Sequence, residues 1–151
     1  MGTMKIVLLT LISTGIGILI GGYLFSKSQP RSFLALNRCQ NCLSPEDLLG
    51  LVASVGIQRF PRLLPSVIFE TDKTIVIQHP HPLSRIHYII VPKKDIKNIG
   101  EASEADSPYL TDAYFVARSI IEKEGLSNYR LLTNGPGFQD VTYLHFHLVA
   151  E

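Results

Sequence analysis

The chain contains 151 residues, carries a formal net charge of +1 at pH 7, and has 18% charged residues. This length suits one globular domain with an additional segment, and a nearly neutral chain lacks the basic field that is typical of nucleic-acid-binding proteins. We therefore expect no nucleic-acid partner. The hydrophobic fraction of 46% is ordinary, but the apolar residues are concentrated near the N-terminus.

The first predicted element is a membrane-spanning helix. Residues 6–25 are uncharged and almost wholly apolar, and they follow a short flank, residues 1–5. A run of about 20 apolar residues matches the roughly 30 Å hydrocarbon core of a bilayer, whereas a secretory signal peptide has a shorter apolar core. We therefore expect a single-pass transmembrane anchor, and a cleaved signal peptide is the alternative.

Basic residues on the two sides of this run indicate its orientation. Lys5 precedes the run, while Lys27, Arg31 and Arg38 follow it. Positive charge is enriched on the cytoplasmic side of membrane segments. The sequence therefore predicts a soluble domain on the cytoplasmic or equivalent side of the membrane.

Residues 26–65 are predicted to form a juxtamembrane linker. The linker contains C-Q-N-C, and its Cys39 and Cys42 fit half of a zinc site, a redox pair or two plain thiols. Ser44 and the proline after it are typical of a helix start. A short amphipathic helix is expected from there to about Gly56.

The remaining residues, 66–151, predict an α+β domain. An apolar repeat at helical spacing over 107–125 ends at a glycine, which is a common helix C-cap. Strand patterns are expected at 66–70, 74–78, 86–92, 128–134 and 141–150. Because short turns join several of these strands, we predict an antiparallel five-stranded sheet with one long helix.

Two histidines lie two residues apart in the last predicted strand. Side chains at i and i+2 share one face of a strand. Tyr143, His145 and His147 are therefore expected to project together, while the alternate apolar residues point into the core. Two hydrogen-bonded surface histidines are the alternative interpretation.

The loop before this strand is suited to bind an anion. It contains G-P-G at 135–137, with the amide side chains of Asn134 and Gln139 nearby. Exposed backbone N–H groups in such a turn can cradle an anion. Near neutral pH an imidazole can act as a nucleophile or as a hydrogen-bond donor, so the loop and the two histidines predict a phosphate pocket.

Two motifs resemble those of the histidine triad (HIT) family of nucleotide hydrolases and transferases. The first is G-P-G-F-Q-D-V-T-Y-L-H-F-H-L-V-A at 135–150, and the second is R-I-H-Y-I-I-V-P-K-K-D-I at 85–96. The resemblance implies a HIT-like domain over 66–151 that binds a nucleotide and acts at its α-phosphate.

The resemblance also implies the residues of the site. His145 falls at the family's nucleophile, His147 at the last histidine of the triad, and His87 at a supporting histidine on an earlier strand. By the same resemblance, contacts with the nucleotide are implied for Asn134, Gly137, Gln139, Ile68, Phe69 and Ile77.

Three positions depart from the family pattern. Tyr143 replaces the first histidine of the triad, and His79 stands where an acid of the family holds the ribose hydroxyls. Asp95 stands where some members have a zinc-binding histidine. We therefore expect no metal ion and no cofactor, and we expect His79 and His81, which are flanked by prolines, to face solvent.

Two functions remain open from the sequence. The first is a membrane-anchored nucleotide phosphohydrolase or nucleotidyl transferase that acts on a purine nucleotide or a nucleoside phosphoramidate through a nucleotidyl-histidine. The alternative is a non-catalytic HIT-like subunit or nucleotide-binding module of a membrane complex. The resemblance implies a homodimer or a complex subunit. A haem-bearing electron carrier is disfavoured, because C-x-x-C-H is required and residue 43 is Leu43.

Overall fold

The computed structural model describes residues 2–27, 45–61 and 67–151. Within these ranges the side chains of residues 2–3 and 45–47 are not described. The predictions for Cys39, Cys42 and the Ser44 cap lie outside the described residues.

Two helices precede the sheet. Helix α1 covers Gly2–Phe25 and helix α2 covers Pro45–Arg59, so α2 continues beyond the predicted end near Gly56. Within α1, Met4–Phe25 is long and apolar enough to cross a membrane, a property that signal sequences share. The Arg59 guanidinium donates to the Tyr23 carbonyl and to Ser26 Oγ, at 2.6 Å in each case, and thereby connects the ends of the two helices.

The predicted five-stranded antiparallel sheet is confirmed. Its strands are β1 (Val67–Glu70), β2 (Thr74–Gln78), β3 (Ile86–Pro92), β4 (Tyr129–Leu132) and β5 (Phe146–Ala150). They lie in the order β1-β2-β3-β5-β4, and every neighbouring pair is antiparallel. The pairing of β3 with β5 brings two histidine-bearing strands together in the middle of the sheet.

The long helix, α3 (Ser107–Glu124), covers one face of the sheet. It ends at Gly125, whose φ of 62° is the left-handed conformation that glycine adopts without a Cβ penalty. Alternate residues of the strands point toward α3 and are buried there. The resulting main core contains Val76, Ile90, Ile96, Ala113, Val116, Ala117, Leu144, Phe146 and Leu148.

A second, smaller core lies on the opposite face of the sheet, beneath α2. It contains Ile57 of α2 together with Ile75, Val91 and Tyr143. The same face carries His147, because His147 is the cross-strand partner of Ile89, which also packs against this cluster. Helix α2 therefore covers one end of this face and leaves the histidine end to other contacts.

The last strand is shorter than predicted, because it begins at Phe146 and not at residue 141. The Tyr143 N–H donates to the carbonyl of Val141 at 2.7 Å, and the Leu144 N–H donates to the carbonyl of Ile96 at 2.6 Å. These bonds bend the segment before Phe146 away from a strand ladder. His145 consequently lies in this bent segment, just before β5.

Candidate functional site

Four imidazole rings meet on the sheet face opposite α3. His79 follows β2, His87 belongs to β3, His145 precedes β5 and His147 belongs to β5. The ring centroids of His79 and His87 are 3.9 Å apart, those of His87 and His147 are 5.3 Å apart, and those of His145 and His147 are 4.9 Å apart. We call these four residues the histidine cluster.

The position of His79 corrects the expectation that it faces solvent. Its ring stacks on that of His87 with an interplanar angle of 9°, and the main-chain N–H of His79 donates to the His87 carbonyl at 2.9 Å. The register of the β2–β3 hairpin, which pairs Gln78 with Tyr88, carries His79 onto His87. His81, by contrast, is exposed as expected.

Hydrogen bonds define the tautomers of His87 and His147. The Leu83 N–H donates to His87 Nδ1 at 3.3 Å, so in the neutral ring the proton of His87 lies on Nε2. His87 Nε2 is 3.1 Å from His147 Nδ1 and donates to it. The proton of neutral His147 therefore lies on Nε2, where it is free to donate to a ligand.

The other two rings of the cluster have opposite tautomers. The His81 N–H donates to His79 Nδ1 at 3.1 Å, which leaves an N–H on His79 Nε2. His145 Nδ1 lies 2.7 Å from the carbonyl of Tyr143 and must donate to it, because a carbonyl only accepts. His145 is thus the member of the cluster whose Nε2 keeps a free lone pair.

Tyr143 does not project into the site beside the histidines, contrary to the expectation for a regular strand. Its side chain is 1% exposed and packs in the smaller core. Its hydroxyl donates to the carbonyl of Pro92 at 2.9 Å. The bend before β5 directs this aromatic ring inward, and the main-chain carbonyl of Tyr143 is what orients His145.

The loop before β5 forms the turn that the sequence indicates. The Phe138 N–H donates to the Gly135 carbonyl at 3.1 Å, and Gly137 has a φ of 85° that favours glycine. The Gln139 side-chain NH₂ group donates to the carbonyl of Lys97 at 3.2 Å, and Asn134 is partly buried. These three predicted contact residues therefore lie on one loop next to the bent segment.

The predicted nucleoside contacts are divided between the two faces of the sheet. Ile77 packs against the smaller core on the face that carries the histidines. Ile68 and Phe69 instead line a cavity of ≈ 230 Å³ together with Tyr88 and residues of α3. The structure therefore does not bring Ile68 and Phe69 to the histidine cluster.

Burial favours the neutral form of three rings of the cluster, those of His87, His145 and His147. It lowers the pKa of His145 below its usual value, while the hydrogen bond to the Tyr143 carbonyl and the charge of Asp140 partly oppose this effect. The pKa of His147 is lowered to about 4, first by burial and then by His145, His87 and His79. The pKa of His87 is lowered by burial and by His79.

Two contributors to the site were missed by sequence reasoning. The charge of Asp140 partly opposes the lowering of the pKa of His145 and of His147. Thr133 Oγ1 donates to the carbonyl of His145 at 2.7 Å and so supports the bent segment. Neither residue has a signature of its own in the sequence, since an isolated acid or threonine in a loop is usually solvated.

The cluster also has the composition of a metal site. Ring nitrogens of His79, His87 and His147 all lie within 4.8 Å of one another. A metal ion needs imidazole lone pairs, whereas the Nδ1 lone pairs of His79 and His87 already accept backbone N–H groups. The tautomers that these hydrogen bonds imply therefore direct N–H donors toward the pocket, an arrangement that suits anionic oxygen atoms better than a cation.

Acidification is expected to destabilise the domain between about pH 6.5 and pH 4. In this range unfolded His147 binds a proton, whereas folded His147, with a pKa of about 4, does not, so the free energy of unfolding falls as the pH falls. The expected loss is about 2 kcal/mol, which is less than the full shift implies because the ring is partly exposed.

Thermal unfolding of the wild type and of His147→Gln at several pH values measures this effect. The variant retains the contributions of His87 and His145 but should lose less stability on acidification than the wild type. Parallel curves for the two proteins would show that His147 is not responsible.

Known proteins share this fold and the segment that carries the site. The family model described as scavenger mRNA decapping enzyme C-term binding matches residues 62–151. An uncharacterized HIT-like protein of Chlamydia muridarum is 32% identical over 86 residues, which cover 55% of this chain and 68% of that protein.

Solved structures show the same relationship. A HIT family hydrolase from Legionella pneumophila is 30% identical with a TM-score of 0.57, and the match covers 62% of this chain and 88% of that one. A HIT family hydrolase from Clostridium thermocellum is also 30% identical, with a TM-score of 0.58 and coverage of 76% and 93%. With its sheet, its paired histidine strands and these relatives, the chain belongs to the HIT-like family.

Proposed function

We propose that the protein is a nucleotide phosphohydrolase or nucleotidyl transferase that forms a nucleotidyl-histidine on His145. The observation that carries this proposal is the hydrogen bond from His145 Nδ1 to the Tyr143 carbonyl, which leaves the Nε2 lone pair free. Because the pKa of His145 is lowered, the ring is neutral and nucleophilic at physiological pH. The similar hydrolases from Legionella and Clostridium support a hydrolytic or transfer reaction.

The reaction follows from the two tautomers. His145 Nε2 attacks the α-phosphorus, a bond from nitrogen to phosphorus forms, and the bond from phosphorus to the leaving group breaks. His147 Nε2–H donates to the oxygen or nitrogen atom that gains charge, as His87 holds the ring by donating to its Nδ1. Water then attacks the phosphorus, the bond to His145 breaks, and a nucleoside monophosphate leaves. The proton that the water loses balances the proton that the leaving group takes up.

The substrate class we propose is a purine nucleotide or a nucleoside phosphoramidate. The loop that holds Asn134, Gly137 and Gln139 would border the phosphate, since it leads directly into the segment that carries His145. The nucleoside would lie against the histidine face near Ile77. Ile68 and Phe69 are not part of this proposal, because they line a cavity beside α3.

Incubation of the full chain with adenosine 5′-phosphoramidate and with dinucleoside polyphosphates tests the activity. We expect release of adenosine monophosphate and, after brief incubation and acid-free quenching, a mass increase of one nucleotidyl group on the peptide that contains His145. Neither turnover nor an adduct across a broad panel of nucleotides would contradict the proposal.

We further propose that α1 anchors the protein as a single-pass membrane segment. Met4–Phe25 has a mean hydropathy of 2.0 over its most apolar window, which supports this role. The anchor would comprise residues 6–25, and the juxtamembrane linker would comprise residues 26–65. The catalytic domain, residues 66–151, would lie on the cytoplasmic or equivalent side of the membrane. A homodimer or a complex subunit fits this arrangement. If α1 is an anchor, the protein should be released from the membrane fraction only by detergent.

A further inference from the structure

His79 carries an N–H donor that no other described residue uses. Its Nδ1 accepts the His81 N–H, so Nε2 is the donor of the neutral ring. Within residues 2–27, 45–61 and 67–151, no hydrogen bond or ion pair involves His79 Nε2. A donor that is partly buried and unused costs free energy until an acceptor reaches it.

The His79 ring is also held in place. It stacks on His87 at 3.9 Å with nearly parallel planes, and the backbone bond from His79 to the His87 carbonyl continues the β2–β3 ladder. Its centroid lies 5.8 Å from that of His147. A fixed donor therefore lies beside the ring of His147.

Two neighbouring imidazole N–H groups favour anionic oxygen atoms. Hydrogen bonds to ionised acceptors are roughly twice as strong as those between neutral groups. The ring N–H groups of His79 and His147 therefore suit the oxygen atoms of a second phosphate.

We propose that His79 forms a second anion subsite, so that the site prefers nucleotides with two phosphate groups over nucleoside monophosphates. This inference rests on the proposed nucleotide function. The first phosphate would lie at His145 and His147, and the second would accept a hydrogen bond from His79 Nε2–H. The second phosphate can be a β-phosphate in the chain or a phosphate on the ribose, and the two have the same chemistry.

Isothermal titration of the full chain in detergent distinguishes these ligands. The probes are adenosine monophosphate, adenosine 3′,5′-bisphosphate and the α,β-methylene analogue of ADP. None of them contains a phosphoanhydride bond at the α-phosphorus that the enzyme could cleave. We expect at least one of the two bisphosphates to bind about tenfold or more tightly than the monophosphate. Which bisphosphate is preferred identifies the position of the second phosphate.

Three variants assign the preference to His79. His79→Ala should reduce the binding of the preferred bisphosphate to the level of the monophosphate, and His79→Phe, which keeps an aromatic ring at this position but has no N–H donor, should do the same. His81→Ala is the matched control, because its side chain is exposed on the same loop and its backbone N–H remains. The affinity of each variant for the monophosphate reports whether the rest of the site is intact.

The outcomes separate this subsite from the proposed function. Equal affinity for all three probes, or loss of the preference in His81→Ala, overturns the subsite while nucleotide binding stands. No binding of any probe overturns both. One equivalent of Zn²⁺ bound by the wild type and lost in His79→Ala also overturns the subsite, since it would show that imidazole lone pairs face the pocket.

Discussion

Replacement of His145 by alanine is expected to reduce turnover of a nucleoside phosphoramidate by on the order of 10³-fold or more. The reason is that His145 is the one ring of the cluster whose hydrogen bonding leaves a lone pair on Nε2, so no neighbouring imidazole can take its place without exchanging protons. The melting temperature should change little, because His145 lies in a segment that backbone bonds hold.

Steady-state kinetics of wild type, His145→Ala and the exposed control His81→Ala provide the measurement. The control should retain wild-type turnover, and the nucleotidyl adduct should be absent only from His145→Ala. Retained turnover in His145→Ala would exclude the covalent route. Nucleotide binding that is unchanged in His145→Ala, with no turnover even in the wild type, would instead favour a non-catalytic nucleotide-binding module.

Replacement of Tyr143 is expected to change stability far more than catalysis. Tyr143→Ala removes a fully buried aromatic ring from the smaller core, and such truncations cost about 3–5 kcal/mol. Tyr143→Phe keeps the ring but leaves the buried carbonyl of Pro92 without this donor, at a cost of about 1–2 kcal/mol.

Denaturation curves and turnover of the two variants separate these effects. Tyr143→Phe should retain turnover within a few-fold of wild type, because the group that orients His145 is the main-chain carbonyl of residue 143, which the substitution leaves in place. A drop of about 100-fold in the turnover of a folded Tyr143→Phe protein would show that the hydroxyl takes part in the reaction. Such a result would support a role for Tyr143 at the first triad position.

Sequence patterns predicted the elements whose side chains alternate regularly. The β2 and β3 strands and the long helix with its glycine cap were predicted from apolar periodicity, whereas the strand order, which places β3 beside β5, was not predicted. The sheet face on which each side chain of β1 lies could not be predicted, because the register of β1 against β2 shifts between Val67 and Phe69. That irregularity, which strict alternation does not reveal, accounts for the placement of Ile68 and Phe69 beside α3.

The cluster illustrates a second limit of sequence patterns. His145, His147 and His87 were found because each occupies a motif position, whereas His79 lies among prolines in a loop and joins them only through hairpin register. Local composition suggested a solvated loop. The position of His79 follows from the pairing of β2 with β3 on either side of the loop. That register is known only when the two strands are aligned in the structure.

The tautomers of His79 and His87 are fixed by the main-chain N–H groups of residues 81 and 83. Natural variation should therefore be wide in the side chains at these two positions, and Leu83 is already 88% exposed. Proline is the exception, because it lacks the N–H and would release the proton arrangement of the cluster while leaving every histidine in place. Orthologues with intact motifs but a proline at either position would thus have diverged in chemistry without any visible change among the residues that perform it.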